Sequence, residues 1–299
     1  MLEDVATALG VGEAVKKRHG VSHSVGGVGI LSRMRTPPGT ELHAPEFPPG
    51  LKWLNVAFLR MDKQMGRNAV LVEFWDFARV NSLRTLPYLK AWHERYGDKG
   101  LRVVTVQAPG YSFGRDAEVA AHAIETLEIE HPIVLDPELE LWQMYGNKGW
   151  PGRYLFDRRG VLRYIHYGEG DYLDCEQAIQ DLLLEIDDEL ELPPPLEPLR
   201  PEDAPGAALE PQTADIVLPH ERDRLELIRD WNDGEDYIEA QDAGAGAVFE
   251  YSGGSAWAVL SGAVAPGLYE ISGGRVEAES PGLRLHAVQF TPRPPPAPS

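Results

Sequence analysis

The sequence predicts an α/β domain followed by a small all-β sandwich domain. Strand and helix signals alternate across residues 41–186, which is the pattern of an α/β structure. Residues 187–212 are acidic and rich in proline, so we expect an extended linker that does not pack. Residues 213–292 contain short β-prone runs separated by Gly-rich turns, which is typical of a small β-sandwich. An N-terminal arm at 1–40 and a proline-rich tail at 293–299 complete the predicted organisation.

The N-terminal arm lacks the pattern of a folded domain. Leu2–Lys17 is compatible with a short amphipathic helix, and the residues after it are rich in glycine and proline. The glycine cluster Val25–Ile30 is not followed by Lys-Ser or Lys-Thr, so it is not a phosphate-binding loop. We expect a flexible arm or a packing extension.

The α/β prediction rests on individual periodic segments. Ala69–Trp75 is a continuous apolar run with β-branched residues, as expected for a strand covered on both faces. Val80–Tyr96 is predicted to be a helix kinked by Pro87, because apolar side chains recur on one face: Leu83, Leu86, Leu89 and Trp92. The other predicted elements are strands at Leu101–Gln107 and Pro132–Leu135, helices at Ala117–Leu127 and Glu138–Tyr145, a hairpin of Tyr154–Asp157 and Val161–Tyr167, and a closing helix at Leu173–Ile186.

The β-sandwich prediction rests on short runs at regular spacing. Glycine and proline mark the turns between them, and no convincing helical period is present. The predicted strands are Ile216–Leu218, Leu225–Trp231, Tyr237–Gln241, Ala247–Tyr251, Trp257–Ser261, Leu268–Ile271 and Leu283–Phe290.

Composition narrows the classes of function. The chain has 299 residues, 43% hydrophobic and 25% charged, which is typical of a soluble globular protein with a sizeable core. Its net charge of −19 argues against nucleic acid and anionic membranes as partners. Cys175 is the only cysteine, so no intrachain disulfide can form. The acidic N-terminus does not resemble a signal peptide, and no apolar run approaches about 18 residues, so we expect a cytoplasmic location.

The segment from Val70 to Leu89 resembles the active-site segment of thioredoxin-fold proteins. Those proteins have an aromatic residue, then C-x-x-C, then a helix with a proline five residues after the second cysteine. Here Arg79 and Ser82 stand in the two cysteine positions, and Pro87 follows Ser82 at the same spacing. The resemblance implies a thioredoxin-like fold without the usual dithiol.

Three further segments extend the resemblance to the redoxin family, which includes AhpC/TSA and TlpA-like proteins. Phe47–Asn55, Gly149–Asp157 and Tyr167–Tyr172 are similar to the redoxin domain of DipZ-type proteins, a domain that also occurs beside NHL repeats. Residues 225–292 resemble a shortened form of the β-rich domain that follows it in DipZ-type proteins.

The resemblance implies a role for each matched position. The nucleophilic cysteine of the family falls at Arg79 and the resolving cysteine at Ser82. The buried acid falls at Glu73, and the cis-proline that faces the dithiol falls at Pro151, after Trp150. We therefore expect a degenerate active site whose groove is formed by Glu73, Trp75, Trp150 and Pro151. The Trp150–Pro151 peptide bond is predicted to be cis.

The two substitutions remove the chemistry expected of the fold. Thiol–disulfide exchange needs a thiolate that attacks a disulfide sulfur. The guanidinium of Arg79 cannot attack, and the hydroxyl of Ser82 cannot form the mixed disulfide. Peroxide reduction fails for the same reason, so no catalytic residue is assigned.

Arg79 is a candidate for anion binding. Its family position is at the start of a helix, where free N–H groups and the helix dipole favour an anion. A cation there needs a negative partner, which would be Glu73 or a bound carboxylate or phosphate. Arg84, one turn further on, is a second candidate for the same anion site. The alternative is that Arg79 points into solvent and the site is inactive.

Metal and cofactor signals are weak. His19 and His23 are four residues apart, but Gly20 lies between them and no second pair has metal spacing, so no metal or cofactor is predicted. Cys175 is flanked by Asp174 and Glu176, which oppose thiolate formation. Aromatic residues of the β-domain form either a core or a sugar-stacking surface: Trp231, Tyr237, Phe249, Tyr251, Trp257 and Tyr269.

The sequence favours a redox-inactive thioredoxin-like protein that binds a peptide, a protein partner or a small anion in a groove between Arg79 and Pro151. Thioredoxin-like grooves bind extended peptide backbones beside the cis-proline. One alternative is a thiol–disulfide oxidoreductase or peroxiredoxin-like antioxidant enzyme of the redoxin family. Another is a carbohydrate- or surface-binding protein that acts through its β-domain.

Overall fold

A mixed sheet of six strands forms the centre of the first of two compact units. The computed structural model describes residues 41–295, and the first unit contains residues 41–75, Thr85–Ala108 and Glu130–Glu197 of them. Its sheet has the order β1-β4-β3-β2-β5-β6, in which β2, β3 and β4 are parallel. The strands are β1 (Trp53–Leu54), β2 (Ala69–Trp75), β3 (Leu101–Gln107), β4 (Ile133–Leu135), β5 (Gly152–Phe156) and β6 (Leu162–Tyr167).

Within the described residues, four α-helices connect or follow these strands along the chain. They are α1 (Val80–Tyr96), α2 (Ala117–Glu125), α3 (Glu140–Met144) and α4 (Tyr172–Ile186). The parallel β2-α1-β3 crossover, followed by the antiparallel β5-β6 hairpin and α4, is the thioredoxin-like arrangement. The predicted fold class is confirmed, and α1 has the bounds that its apolar period indicated.

Strand β2 is buried along its whole length because the sheet has apolar layers on both faces. Leu71 packs in one cluster with Leu89 and Trp92 of α1. Val72 and Phe74 belong to the opposite cluster. Since successive side chains of a strand point to opposite faces, a doubly covered strand must be apolar at every position except where a polar group is paired.

The predicted linker packs for about half of its length, so the expectation of an unpacked linker was wrong. Gln180 Nε2 in α4 donates to Pro193 O at 2.8 Å, and Leu196 N donates to Glu176 Oε2 at 2.9 Å. Three leucines of this segment pack against the cluster that contains α4: Leu190, Leu192 and Leu196. Proline keeps the segment extended, but an extended chain can still bury spaced leucines.

The second unit is rich in β-structure. It contains Asp76–Arg84, Pro109–Ile129 and residues 198–295. One antiparallel sheet has the order β13-β12-β15-β10-β9 with β7 paired to β15, and a smaller one has the order β14-β11-β8. The strands are β7 (Ile216–Val217), β8 (Glu226–Ile228), β9 (Trp231–Asp233), β10 (Ile238–Ala240), β11 (Gly246–Val248), β12 (Ala256–Gly262), β13 (Gly267–Ile271), β14 (Arg275–Glu277) and β15 (Leu283–Phe290).

One apolar core joins the two sheets of this unit. Ala247 and Val276 of the smaller sheet share a cluster with Ala258 and Leu285 of the larger one. The structure agrees with the predicted all-β domain and differs in two elements. The predicted run Leu225–Trp231 is two strands in different sheets, because Arg229 between them has a φ of 63° and turns the chain. Strand β14 was missed because only one of its three residues is apolar.

Two predictions fall outside the described residues. These are the N-terminal arm, with its helix Leu2–Lys17, its glycine cluster and the His19–His23 pair, and the end of the proline-rich tail. Within residues 41–295, no helix is long and apolar enough to span a membrane. The same residues contain no group of three or more His, Cys, Asp or Glu side chains placed to hold a metal ion.

Candidate functional site

Asp76 organises the loop that follows β2. Its Oδ1 accepts a hydrogen bond from Ala78 N at 3.1 Å, and its Oδ2 accepts one from Gly110 N at 2.8 Å. The Asp76 N–H donates to Ser82 Oγ at 3.3 Å, and Ser82 is fully buried. The residue in the resolving-cysteine position is therefore an internal hydrogen-bond partner of the loop.

Arg79 is partly covered by groups of its own unit. Its side chain is 22% exposed, with Nε 3.9 Å from Asp76 Oδ2. Its Cζ lies 5.0 Å from the centroid of the Tyr111 ring, within the range of a cation–π interaction. Asp215 adds a nearby carboxylate, whose pKa is raised by burial and lowered in part by Arg79. The predicted partner Glu73 pairs with a different residue, described below.

Gln289 of β15 contacts the loop on both sides of Arg79. Its Oε1 accepts from Val80 N at 2.8 Å, and its Nε2 donates to Ala78 O at 3.0 Å. The same Nε2 donates to Tyr111 Oη at 2.9 Å, and only 2% of Gln289 is exposed. The N–H group of Val80, which the sequence assigned to an anion, thus has a protein acceptor.

Arg84 also has protein acceptors. Its Nη2 lies 2.9 Å from Glu202 Oε1 and 3.9 Å from Asp203 Oδ1. Arg200 donates to the Arg84 carbonyl at 3.0 Å and pairs with Asp203. Anion binding at Arg79 and Arg84 stays a prediction, but an added anion would have to compete with these carboxylates.

A hydroxyl–imidazole–carboxylate chain lies in the same unit. Ser261 Oγ is 2.8 Å from His286 Nε2, and His286 Nδ1 is 3.0 Å from the main-chain O of Asp236 and 3.4 Å from its Oδ1. Burial alone would raise the pKa of Asp236, but hydrogen bonds from His286 and Ser112 lower it to about 2. Ser261 and His286 are 4% and 1% exposed, so a substrate cannot reach them. We interpret the chain as a structural network that holds the loop at Ser112.

Glu73 forms a buried ion pair with Arg153. The two residues are direct partners on antiparallel strands β2 and β5, with Glu73 Oε2 3.2 Å from Arg153 Nε and both side chains fully buried. Burial raises the pKa of Glu73 to about 7, although Arg153 opposes the shift. Arg153 also donates to Gly170 O and lies over the rings of Trp92 and Tyr172. These contacts explain why an acid is tolerated in an otherwise apolar strand.

The other predicted groove residues differ in accessibility. Glu73 and Trp75 have no exposed surface, so neither lines an open groove. Trp150 is partly exposed, donates from Nε1 to Ala108 O at 2.8 Å and packs on Trp142. The Trp150–Pro151 peptide bond is cis, as predicted. A groove that joins Arg79 to Pro151 stays a prediction.

The aromatic residues of the β-domain lie mainly in its core. Trp231 and Phe249 are buried, and Tyr251 and Tyr269 pack against the same cluster. Tyr237 and Trp257 are partly buried, and none of the six is classed as exposed. The arrangement gives no support to a sugar-stacking surface.

The buried position of Cys175 makes its thiol unreactive. It is fully buried in the first turn of α4, and burial raises its pKa to about 12. We expect no reaction with Ellman's reagent in the folded protein and one titratable thiol after unfolding in guanidinium. Rapid native-state labelling would contradict this description.

The hydrogen-bond and ion-pair partners of the site residues were not predicted from the sequence. Arg153 was detectable, because it is a charged residue inside an apolar strand, as Glu73 is. Asp76 follows a buried strand directly, and an Asp at such a position often bonds to nearby backbone. No local signal identified Gln289, which lies more than 200 residues from the loop.

About half of the chain is similar in sequence to known proteins. No family model matches. Protein DipZ of Mycobacterium bovis is 35% identical over 172 residues, which are 57% of this chain and 25% of DipZ. This similarity agrees with the resemblance to DipZ-type proteins found in the sequence. NHL repeat-containing protein 2 of Bos taurus is 31% identical over 132 residues, which are 44% of this chain and 18% of that protein. The chain thus spans a quarter or less of the length of these relatives.

Solved structures of similar fold also match about half of this chain. A thioredoxin-like protein in its oxidized form is 24% identical with a TM-score of 0.44, and the match covers 48% of this chain and 97% of that chain. A thiol-disulfide isomerase from Corynebacterium glutamicum is 19% identical with a TM-score of 0.42, over 47% and 96% of the two chains. The strand order and connectivity described above establish the fold itself.

Proposed function

We propose that this redoxin-like chain is redox-inactive and acts by binding a peptide or protein partner. The observation that supports this most strongly is the composition of the loop after β2. Arg79 and Ser82 occupy the dithiol positions, and Ser82 is buried with its hydroxyl bonded to Asp76 N. Cys175, the remaining thiol, is fully buried. The degenerate active site therefore offers no accessible sulfur for exchange.

The competing function is thiol–disulfide exchange, which family resemblance alone would favour. It is tested by turnover of insulin disulfides with dithiothreitol or with a thioredoxin reductase as the reductant. We expect no rate above the reductant alone. A rate that persists in Cys175→Ser would contradict redox inactivity, and a rate abolished by Cys175→Ser would make Cys175 a monothiol catalyst.

The kind of ligand is proposed from the charges around the loop. Arg79, Arg84 and the Val80 N–H all have protein acceptors, which favours a peptide or protein partner over a small anion. The proposed location of that partner is beside Pro151, where thioredoxin-like proteins hold extended peptides. A single buried thiol also fits the proposed cytoplasmic location.

Titration with sulfate and phosphate separates the two kinds of ligand. A ligand with a dissociation constant of 1 mM would stabilise the protein by about 1.4 kcal/mol at 10 mM. We expect no such rise in melting temperature, because the guanidinium groups are already paired. Arg115 is an exposed arginine of the same unit and serves as the control. A rise that disappears in Arg79→Ala and persists in Arg115→Ala would establish an anion site instead.

A further inference from the structure

We propose that Gln289 is an internal ligand that covers the former dithiol loop, and that this loop is an amide-binding site. The proposal deepens the proposed function, because it names the chemical group that the loop recognises and the residue that occupies it. The contact joins the backbone groups of Ala78 and Val80 to the side-chain carboxamide of Gln289.

The hydrogen-bond pattern matches a planar amide. The loop presents one donor, Val80 N–H, and one acceptor, Ala78 O, on either side of Arg79. Gln289 satisfies both with Oε1 at 2.8 Å and Nε2 at 3.0 Å. A neutral side chain needs one acceptor and one donor side by side to do this, and the carboxamide of Asn and Gln provides them in one plane. The N–H and C=O of one residue in an extended backbone offer the same two functions, because they point to the same side of the chain.

The position of Gln289 in β15 explains how it reaches the loop. Its neighbours Val288 and Phe290 belong to the apolar core of the unit. Alternation along a strand directs the side chain between them to the opposite face. There its Nε2 also donates to Tyr111 Oη at 2.9 Å, so the amide is bonded on both sides while only 2% exposed. A buried polar side chain in this position is costly unless each hydrogen bond is made.

Two charged contacts of the same unit are more exposed than the Gln289 side chain. Ser112 N and Oγ donate to the Asp236 carboxylate at 2.6 and 2.9 Å, with 26% of the Asp236 side chain exposed. Arg84 pairs with Glu202, and their side chains are 14% and 12% exposed. Charged contacts of this kind weaken with salt, whereas a buried amide contact does not. The bonds of Gln289 to Ala78 O and Val80 N–H are therefore more deeply buried than these charged contacts.

The test measures access of a thiol reagent to position 82. Ser82→Cys places a thiol under the closed loop, and Cys175 in the first unit reports global unfolding in the same molecule. Labelling by 4,4′-dithiodipyridine, resolved by peptide mapping, gives both rates. We expect Gln289→Leu to accelerate labelling at position 82 by at least about tenfold, since two buried backbone groups lose their partner. Labelling of Cys175 should not change.

Two further variants complete the test. Gln289→Glu keeps the shape of the side chain but has no donor for Ala78 O at neutral pH, so it should also accelerate labelling at position 82. Gln241→Leu removes a glutamine of the same unit whose amide bonds to Glu239 O, and it should leave both rates unchanged. Labelling at position 82 that is equally fast with Gln289 intact, in Gln289→Leu and in Gln289→Glu would overturn the proposal. Neither result depends on insulin turnover, so this inference and the proposed redox inactivity fail separately.

Discussion

Replacing Arg153 with methionine should destabilise the protein by about 3–5 kcal/mol at pH 8, because it leaves Glu73 buried without a cation. Both side chains are fully buried and lie 3.2 Å apart between Nε and Oε2. The measurement is the free energy of unfolding from urea denaturation of Arg153→Met. The double variant Glu73→Leu/Arg153→Met should recover most of the loss, since an apolar pair can replace a buried ion pair.

The loss of stability in Arg153→Met should be larger at high pH than at low pH. Burial already raises the pKa of Glu73 to about 7 from its ordinary 4.5, and removing Arg153 raises it further. The folded variant then binds a proton that the unfolded chain releases. Its stability is therefore highest below about pH 4.5 and falls as pH rises through the folded pKa. A loss below about 1 kcal/mol at pH 8, or one that is the same at pH 5, would show that the pair is not the buried ion pair described here.

The double variant Arg79→Cys/Ser82→Cys should show insulin reductase activity, which we expect to be absent from the parent protein. It restores C-x-x-C at the start of α1, with Pro87 five residues after the second cysteine. We expect the activity to be weak, because Ser82 is fully buried and Gln289 covers the loop. Adding Gln289→Leu should increase the rate severalfold, and adding Gln241→Leu should not.

The restored dithiol also tests the loop geometry. Mass spectrometry after oxidation shows whether the two introduced thiols of the double variant form a disulfide. A folded variant that cannot form it would show that the loop has diverged beyond the two substitutions. Strong activity without Gln289→Leu would show that the loop is open in solution.

The fold was predictable because its signals are local. The continuous apolar run of β2 predicts a buried strand, and the apolar period of α1 predicts a helix. The observed bounds of both elements are those predicted. The packing of the linker was harder to predict. Composition indicates whether a segment can be helical, but it does not show whether its spaced leucines pack against another element. Leu190, Leu192 and Leu196 find one beside α4.

The candidate site was predictable only in part. Resemblance to thioredoxin-fold proteins identified Arg79, Ser82 and Pro151. The partners depend on tertiary structure: Arg153 meets Glu73 through strand register, and Gln289 meets Val80 through a contact across more than 200 residues. Alternation in β15 predicts that Gln289 leaves the core face, but not which backbone groups it meets.

Hydrogen exchange of the Val80 amide tests the central claim most directly, namely that the loop in the dithiol position is held closed by Gln289. The amide donates to Gln289 Oε1 at 2.8 Å, while the first N–H groups of a helix have no acceptor within the helix. We predict exchange at least about 100-fold slower than that of an unprotected amide, corresponding to an opening free energy of roughly 2.7 kcal/mol. Exchange at the unprotected rate in the folded protein would contradict the account.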